Sequence, residues 1–345
     1  MSQVLQHVIA AIGPASQANA EAVGARIAAA NAPMLERLAR ALAGAQHTPS
    51  PRSSRRTVVV VAADHGVGDP GIAMGADHPT VIAARAIADG SAALCQVTRA
   101  APVASGSALL TGATPIVLVD AGAAESSHMP DIAVQLGRGP SRDLMREPAM
   151  TVVDAVLGLE AGIALSLSLC EQPAPASDAA PTGISPAPDV LAVGALGVGS
   201  EVASAALLGA LSGTAPTNLG DEVAEQAGQR GVALAGTGAL ELLATFGGSD
   251  TAVLAGLVLG SASMNVPVIL DSYATGAAAL VAAALAPPVT GYLIAAHRGS
   301  FTHPAILEHL GLVPAFEVGL GHGEGTGAAM VLPLLDQVAA LAARG

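Results

Sequence analysis

The chain contains no lysine: all 14 basic residues are arginine. That excludes Schiff-base chemistry on a lysine amine, and it excludes the lysine of a phosphate-binding P-loop. Tryptophan is also absent, and aromatic residues make up only 1% of the chain. Little surface is left for stacking bases, which argues against a single-stranded nucleic-acid partner. The net charge of −13 points the same way, since a polyanion would be repelled. Two cysteines, Cys95 and Cys170, build no disulfide framework and read as small buried hydrophobes. The longest apolar runs are interrupted: Thr251–Leu270 by Ser261, Ser263, Asn265 and Pro267, and Ala274–Val289 by Pro287 and Pro288. Neither offers the roughly 20 continuous apolar residues of a membrane span. The start of the chain lacks the charged stretch and long apolar core of a signal peptide. The expectation is a soluble, cytoplasmic enzyme with no membrane partner.

What is present is apolar and small. Hydrophobic residues make up 52% of 345 positions. A core of Ala, Val, Leu and Ile suits close packing of helices on a sheet, and the length allows a second small domain. Residues 3–47 read as helices, and the polar, proline-rich stretch Thr48–Arg56 reads as a linker. Thr57–Ala63 is a β-branched run of the kind buried on both faces of a parallel sheet. Further strands are expected at Pro115–Asp120, Asp189–Val193, Val266–Asp271, Gly291–Ala296 and Leu312–Val318. Helices are expected between them, at Thr80–Leu94, Val152–Ser168, Glu201–Leu211 and Thr275–Leu285. The alternation predicts an α/β fold: a doubly wound, mostly parallel six-stranded sheet with helices on both faces. Residues 172–188, rich in Ala, Pro and Ser, read as a flexible surface insertion.

Polar groups gather at predicted strand ends, where such sheets bind ligands. They are Asp64 and His65, Asp120, Asp271, His297 to Ser300, and Glu324. Two glycine-rich stretches lie between a strand and a helix. The first is Gly194–Ser200. The second, Gly319–Ala328, surrounds the single acid Glu324 and reads as a tight turn or as a ligand loop. Glycines here let backbone N–H groups approach an anion at a helix N-terminus. The spacing is not that of a dinucleotide fold, no serine sits in a nucleophile elbow, and no histidine pair has helical metal-ligand spacing. Arg138, Arg142 and Arg146 form a basic loop, read either as a solvated loop or as an arm for an acidic group. What remains is a site without metal or cofactor: one general base and several anion-cradling loops.

Several stretches together carry a resemblance. They are Ala63–Val67, Val119–Gly122, Gly137–Gly139 with Arg146–Thr151, Leu159–Ile163, Gly197–Gly199, Val268–Asp271, Tyr292–Arg298 and Gly323–Ala328. In this order, from about residue 35 to the C-terminus, the chain resembles the nicotinate-nucleotide:dimethylbenzimidazole phosphoribosyltransferase family, which serves cobalamin biosynthesis. The resemblance implies a large Rossmann-like domain over residues 51–328. It implies a small helical domain built from 1–50 with 329–345, and a homodimer. It implies transfer of the 5-phosphoribosyl group of nicotinate mononucleotide to a small heteroaromatic base, with no cofactor. Glu324 matches the family's catalytic glutamate. Gly197, Val198, Gly199, Ser300, Gly323, Gly325, Thr326 and Gly327 match positions near the phosphoribosyl group. Asp271 matches an acid lining the same site, and Asp64 and His65 stand at the ligand end of the first strand.

Departures fall on the base side. Ala195, followed by Leu196, stands where the family carries a glutamate facing the benzimidazole. Ser200 replaces an asparagine. Met74 lies in a segment, Ala73–Asp77, that differs from the family's base-pocket stretch. His322 replaces a leucine, and Arg230 or backbone groups must replace the phosphate lysine. These changes imply that the acceptor is dimethylbenzimidazole or, with the pocket altered, a different base, and that His322 is its hydrogen-bond partner, shares the proton work, or is an exposed loop histidine. Three alternatives stay open: a paralogue acting as a heterodimer with a homologous partner subunit, a non-catalytic nucleotide- or base-binding protein, and hydrolysis with water as acceptor.

Overall fold

Arg56–Ala63 forms the strand at the centre of the sheet, and its valines alternate between two separate cores. Val59, Val61 and Ala63 face one core, while Val58, Val60 and Ala62 face the other. That is the period-2 geometry of a strand buried on both sides. The computed structural model of the protein describes residues 1–28, 31–68, 71–100, 114–131, 134–171, 188–320 and 323–343. In chain order the helices α1 (Gln3–Ala11), α2 (Gln17–Ala28) and α3 (Pro33–Ala45) precede β1 (Arg56–Ala63). Then come α4 (Pro79–Ala88), α5 (Ala93–Ala100), β2 (Ile116–Gly122), β3 (Val134–Gln135), α6 (Val152–Glu171), β4 (Val190–Leu196) and α7 (Ser200–Ser212). The chain continues with α8 (Glu222–Ala233), α9 (Ala239–Phe246), α10 (Ser249–Ser263), β5 (Val268–Leu270), α11 (Tyr273–Leu285), β6 (Leu293–Ala295), α12 (His303–His309) and α13 (Thr326–Ala342).

The six described strands pair in the order β3-β2-β1-β4-β5-β6, every pair parallel. This is the doubly wound α/β fold that the alternation predicts. The order reverses between β1 and β4, which opens a crevice at their C-terminal ends. Helices α6 to α11 contribute to the core on one face, with α1. Helices α2 to α5 and α13 contribute to the other. The near-absence of aromatic rings has a packing counterpart. Helices α6 and α10 touch backbone to backbone: a Cβ on Gly162 would run into the Val253 carbonyl, and one on Gly256 into that of Leu159.

Four features differ from the sequence expectation. The segment Leu312–Val318 is not a strand. Pro314 interrupts its donors, and it makes only an isolated bridge, Phe316 to His297. The sixth strand is instead the short edge strand β3. Thr80–Leu94 is not one helix: Gly90, at φ +80°, ends α4, and the Asp89 carboxylate accepts the Ser91 N–H at 2.8 Å. Residues 221–265 fold into α8, α9 and α10. Helix α10 is apolar all round because it is buried all round, so no amphipathic period marks it. Finally, Val152–Leu169 is long and apolar enough to cross a membrane by length and composition; here its Leu159 and Ile163 lie in the core with α10. Cys95 is a buried free thiol; the Cys170 side chain and the insertion at 172–187 lie outside the described residues.

One buried ion pair joins the start of β1 to α13. Arg56 Nη1 lies 2.7 Å from Asp336 Oδ2, and Ser53 donates to Asp336 Oδ1 at 2.6 Å. Arg56 Nε donates to Thr114 Oγ1 at 3.1 Å, just before β2. A buried guanidinium that loses its counter-charge is costly, so Asp336→Ala is expected to lower stability by about 3–5 kcal/mol. Replacing both partners by Met and Leu is expected to cost far less. Urea unfolding midpoints of the three proteins check this.

Candidate active site

A cavity of about 260 Å³ lies at the C-terminal end of β4. Its walls come from α4 (Pro79, Thr80, Ala83), from the β4 end and following loop (Ala195 to Val198, and Ser200), from the start of α11 (Ser272 to Ala274), and from Gly323 and Glu324. These stretches are far apart in the chain. They meet because the strand order places the end of β4 beside the ends of β1 and β5.

The loop Gly197–Gly199 carries the chain from β4 into α7. Gly199 precedes α7 at φ +82°, a left-handed conformation that favours glycine. The first N–H groups of α7 have no intrahelical partner and face the crevice end of the sheet, as in anion-binding helix starts. Asp64 holds this loop from behind. Its Oδ1 accepts the Val198 N–H at 2.9 Å and the Thr80 hydroxyl at 2.6 Å; its Oδ2 accepts the Ala124 N–H at 2.8 Å. One carboxylate therefore ties together the ends of β1, β2 and β4 and the start of α4. His65 adds to the tie. Its N–H donates to the Val198 carbonyl at 2.9 Å, and its ring stands 3.3 Å from Asp250 at the start of α10. Burial alone would push the imidazole down, but the Asp250 carboxylate, with Asp64 and Glu201 behind it, outweighs burial and holds it above its ordinary value.

The Glu324 loop is anchored the same way. Ala195 N–H donates to the Gly323 carbonyl at 2.8 Å. Gly194 in β4 lies directly under the loop: a Cβ there would overlap the Glu324 carbonyl carbon and the Gly325 nitrogen. Gly325, at φ +95°, precedes α13. The fully buried Asp271 carboxylate accepts the Gly325 N–H at 2.9 Å and the Ala328 N–H at 2.7 Å, so it caps α13 from across the sheet. Burial pushes its carboxyl up to about 6, against the lowering effect of those N–H groups and of His297, 3.9 Å away. Glu324, half-buried, is left on the cavity side and is the only acid among the described lining residues.

The structure thus brings Glu324, Gly323, Ala195, Leu196, Gly197, Val198 and Ser200 around one cavity, with Gly199, Gly325, Thr326 and Gly327 immediately behind. Asp64, His65 and Asp271 are buried beneath the loops rather than in the lining. Met74 and Ser300 are exposed and outside it. His322 lies outside the described residues. Arg230 donates to the Met145 carbonyl at 2.6 Å and is not part of the lining. Each arginine of the basic loop has a carboxylate at hand: Arg138 with Asp154, Arg142 with Glu147, Arg146 with Asp143. The solvated-loop reading fits that pairing. Sequence reasoning missed Tyr273 and Ser272 in the lining, and Asp250 behind it. The one available signal was that Tyr273, one of only two tyrosines, follows a strand-ending acid by two residues.

A doubly wound sheet, a helix N-terminus beside a cavity and one carboxylate in its wall suit a group-transfer enzyme acting on a phosphorylated substrate. The family comparison agrees: a model described as phosphoribosyltransferase matches residues 12–344, and the chain belongs to that family. Among its relatives is the nicotinate-nucleotide–dimethylbenzimidazole phosphoribosyltransferase of Roseiflexus sp. (strain RS-1), 35% identical, with 96% of this chain and 92% of the relative covered. The protein of the same name from Chloroflexus aggregans is 31% identical over 90% of this chain and 87% of its own length. The crystal structure of the nicotinate-nucleotide–dimethylbenzimidazole phosphoribosyltransferase of Thermus thermophilus superposes with a TM-score of 0.71 at 31% identity, covering 90% and 89% of the two chains.

Two outcomes follow from the anchoring of Glu324. Gly194→Ala is expected to displace the loop and lower turnover at least about tenfold, the effect of misplacing a reacting group, with circular dichroism unchanged. The second concerns pH. The folded protein keeps a proton on Asp271 up to about pH 6, whereas an unfolded aspartate loses it near 3.8. Stability therefore falls as pH rises from about 4 to about 6, because there the native state binds the extra proton. Asp271→Asn is expected to remove that slope, read from urea unfolding at several pH values.

Proposed function

We propose that this protein transfers the 5-phosphoribosyl group of nicotinate mononucleotide to a ring nitrogen of a heteroaromatic base, releasing nicotinate. The observation that carries the reading is the placement of Glu324: a lone carboxylate in the cavity wall, held by Gly194 and Asp271, opposite a helix N-terminus suited to a phosphate. The names of the relatives support the same donor. In this mechanism the acceptor nitrogen attacks the ribose C1′. The bond from C1′ to the nicotinate nitrogen breaks and its electron pair leaves with nicotinate. Glu324 takes the N–H proton of the acceptor, so no charge builds up on the new glycosidic nitrogen. The N–H groups at the start of α7 receive the phosphate.

Dimethylbenzimidazole is the acceptor in this reading, on the strength of the relatives' shared name. The expectation of a different base leaned on His322, which lies outside the described residues, and on Ala195, whose methyl group lines the cavity without specifying a polar acceptor. The described part of the cavity gives that expectation no support, nor does it support the heterodimer, binding-protein or water-acceptor readings. A homodimer fits the exposed apolar residues Val153, Leu157 and Leu167 of α6. Helix α13 packs on α2 and α3 but shares one core with α4, α5 and the sheet, so the small domain from both chain ends stays a proposal.

Glu324→Gln is expected to reduce nicotinate release by about 10²–10⁴-fold, the usual worth of a general base, while nicotinate mononucleotide still binds. Chromatographic assay of nicotinate with dimethylbenzimidazole as acceptor measures this. Absence of nicotinate release by the unsubstituted protein, with dimethylbenzimidazole or any other azole, would sink the reading.

A further inference from the structure

Aromatic rings are scarce in this chain, and two of them are placed against the cavity. The sequence holds two tyrosines and three phenylalanines. Phe246 and Tyr292 are buried in one core, and Phe316 packs against the other. The remaining two, Tyr273 and Phe301, are half-buried and meet each other, with ring centroids 5.8 Å apart and planes tilted by 46°. Tyr273 is the only aromatic residue in the described lining.

Phe301 is held under backbone strain. Its φ is +57°, a left-handed conformation unusual for a residue with a bulky side chain. Such strain persists only where the surroundings enforce it, and it collects at ligand sites. Here three hydrogen bonds enforce it. Gly299 N–H donates to His303 Nδ1 at 3.0 Å, His303 N–H donates to the Ser300 carbonyl at 3.1 Å, and the Thr302 and Ser204 hydroxyls lie 2.9 Å apart. A glycine would take up this turn without strain. What phenylalanine adds is a ring against Tyr273. Tyr273 is fixed at its hydroxyl as well, which meets the Ser200 side chain. A ring held in this way gives up little freedom when a flat ligand lies on it.

The rest of the wall favours an uncharged ring. Pro79, Ala83, Ala195, Leu196 and Ala274 are apolar, and Glu324 is the one charged group in the described lining. A ring bearing a carboxylate would meet a like charge there, with no cation in that lining to offset it.

We propose that Tyr273 is the residue by which the protein recognises the aromatic ring of its acceptor base, through stacking, and that Phe301 is the positioning residue that holds the Tyr273 ring for it. This rests on the reading of the acceptor as a heteroaromatic base, and it names a residue that selects that base.

Calorimetric titrations of the full-length protein with dimethylbenzimidazole, imidazole and nicotinate mononucleotide test this, alongside the variants Tyr273→Leu, Tyr273→Phe and Phe301→Gly. Thermal unfolding checks that each variant is folded. Tyr273→Leu and Phe301→Gly are expected to bind dimethylbenzimidazole at least about fivefold more weakly, the lower end of what one stacked ring contributes. Tyr273→Phe keeps the ring and is expected to bind it as the unsubstituted protein does. The preference for dimethylbenzimidazole over imidazole is expected to narrow in Tyr273→Leu, because the larger ring has more stacking to lose. Affinity for nicotinate mononucleotide is expected to stay unchanged in all three variants. Unchanged dimethylbenzimidazole affinity in Tyr273→Leu overturns the proposal, and the same result in Phe301→Gly overturns the positioning role. Equal weakening towards dimethylbenzimidazole and nicotinate mononucleotide overturns base recognition and leaves the ring as packing. If the unsubstituted protein binds nicotinate mononucleotide but no base, the proposal fails while the donor half of the functional reading stands. If it binds neither, both fail.

Discussion

The hold of Asp271 on the first turn of α13 is the interaction on which the site depends. A carboxylate on a glycine-rich loop has too much backbone freedom to be placed within a fraction of an ångström by itself. Here two N–H groups that follow it, of Gly325 and Ala328, are fixed to a carboxylate that is itself fixed at the end of β5. Gly194 lets the loop lie directly on β4. Glu324 is then presented by the sheet, the most rigid part of the protein, although it belongs to a loop.

Asp64 repeats the device on the other side of the switch point. Its oxygens accept from Val198, Thr80 and Ala124, so the glycine loop before α7 and the α4 wall share one anchor. In both cases an acid at a strand end spends its charge on backbone N–H groups and not on a ligand. The cavity wall itself is left with a single negative group and a set of N–H and O–H donors. Such donors bind an anion by direction and dipole rather than by net charge. In the proposed reaction, this is the means by which a chain without lysine, at a net charge of −13, receives a phosphate.

Much of this was legible from residue order. β-branched runs announced β1, β2 and β4, since only a strand buried on both faces tolerates so continuous an apolar stretch. The two glycine-rich loops and the acid within the second stood out because glycine marks close backbone approach. Other elements were not legible, each for a physical reason. Helix α10 is enclosed on every side, so its sequence has no polar face to reveal a period. The segment Leu312–Val318 is apolar enough for a strand, yet Pro314 leaves it only an isolated bridge, from Phe316 to His297 just past β6. The break at Gly90 inside an otherwise helical pattern depends on a local contest between the Asp89 side chain and the helix ladder.

By itself the sequence determined the layer architecture, the family to which the chain belongs and the identity of Glu324 as the acid in the glycine loop. These are properties of neighbours along the chain: strand period, glycine spacing and short motifs. Which of the strand-end acids faces the cavity was decided by tertiary structure alone. Asp64, Asp271 and Glu324 look alike in sequence, each an acid beside a strand end or a glycine. Their roles separate only when Asp64 meets Val198, 134 residues away, and Asp271 meets Gly325, 54 residues away. A carboxylate surrounded by N–H groups from distant segments becomes framework. One whose loop turns it outward is left free to take a proton.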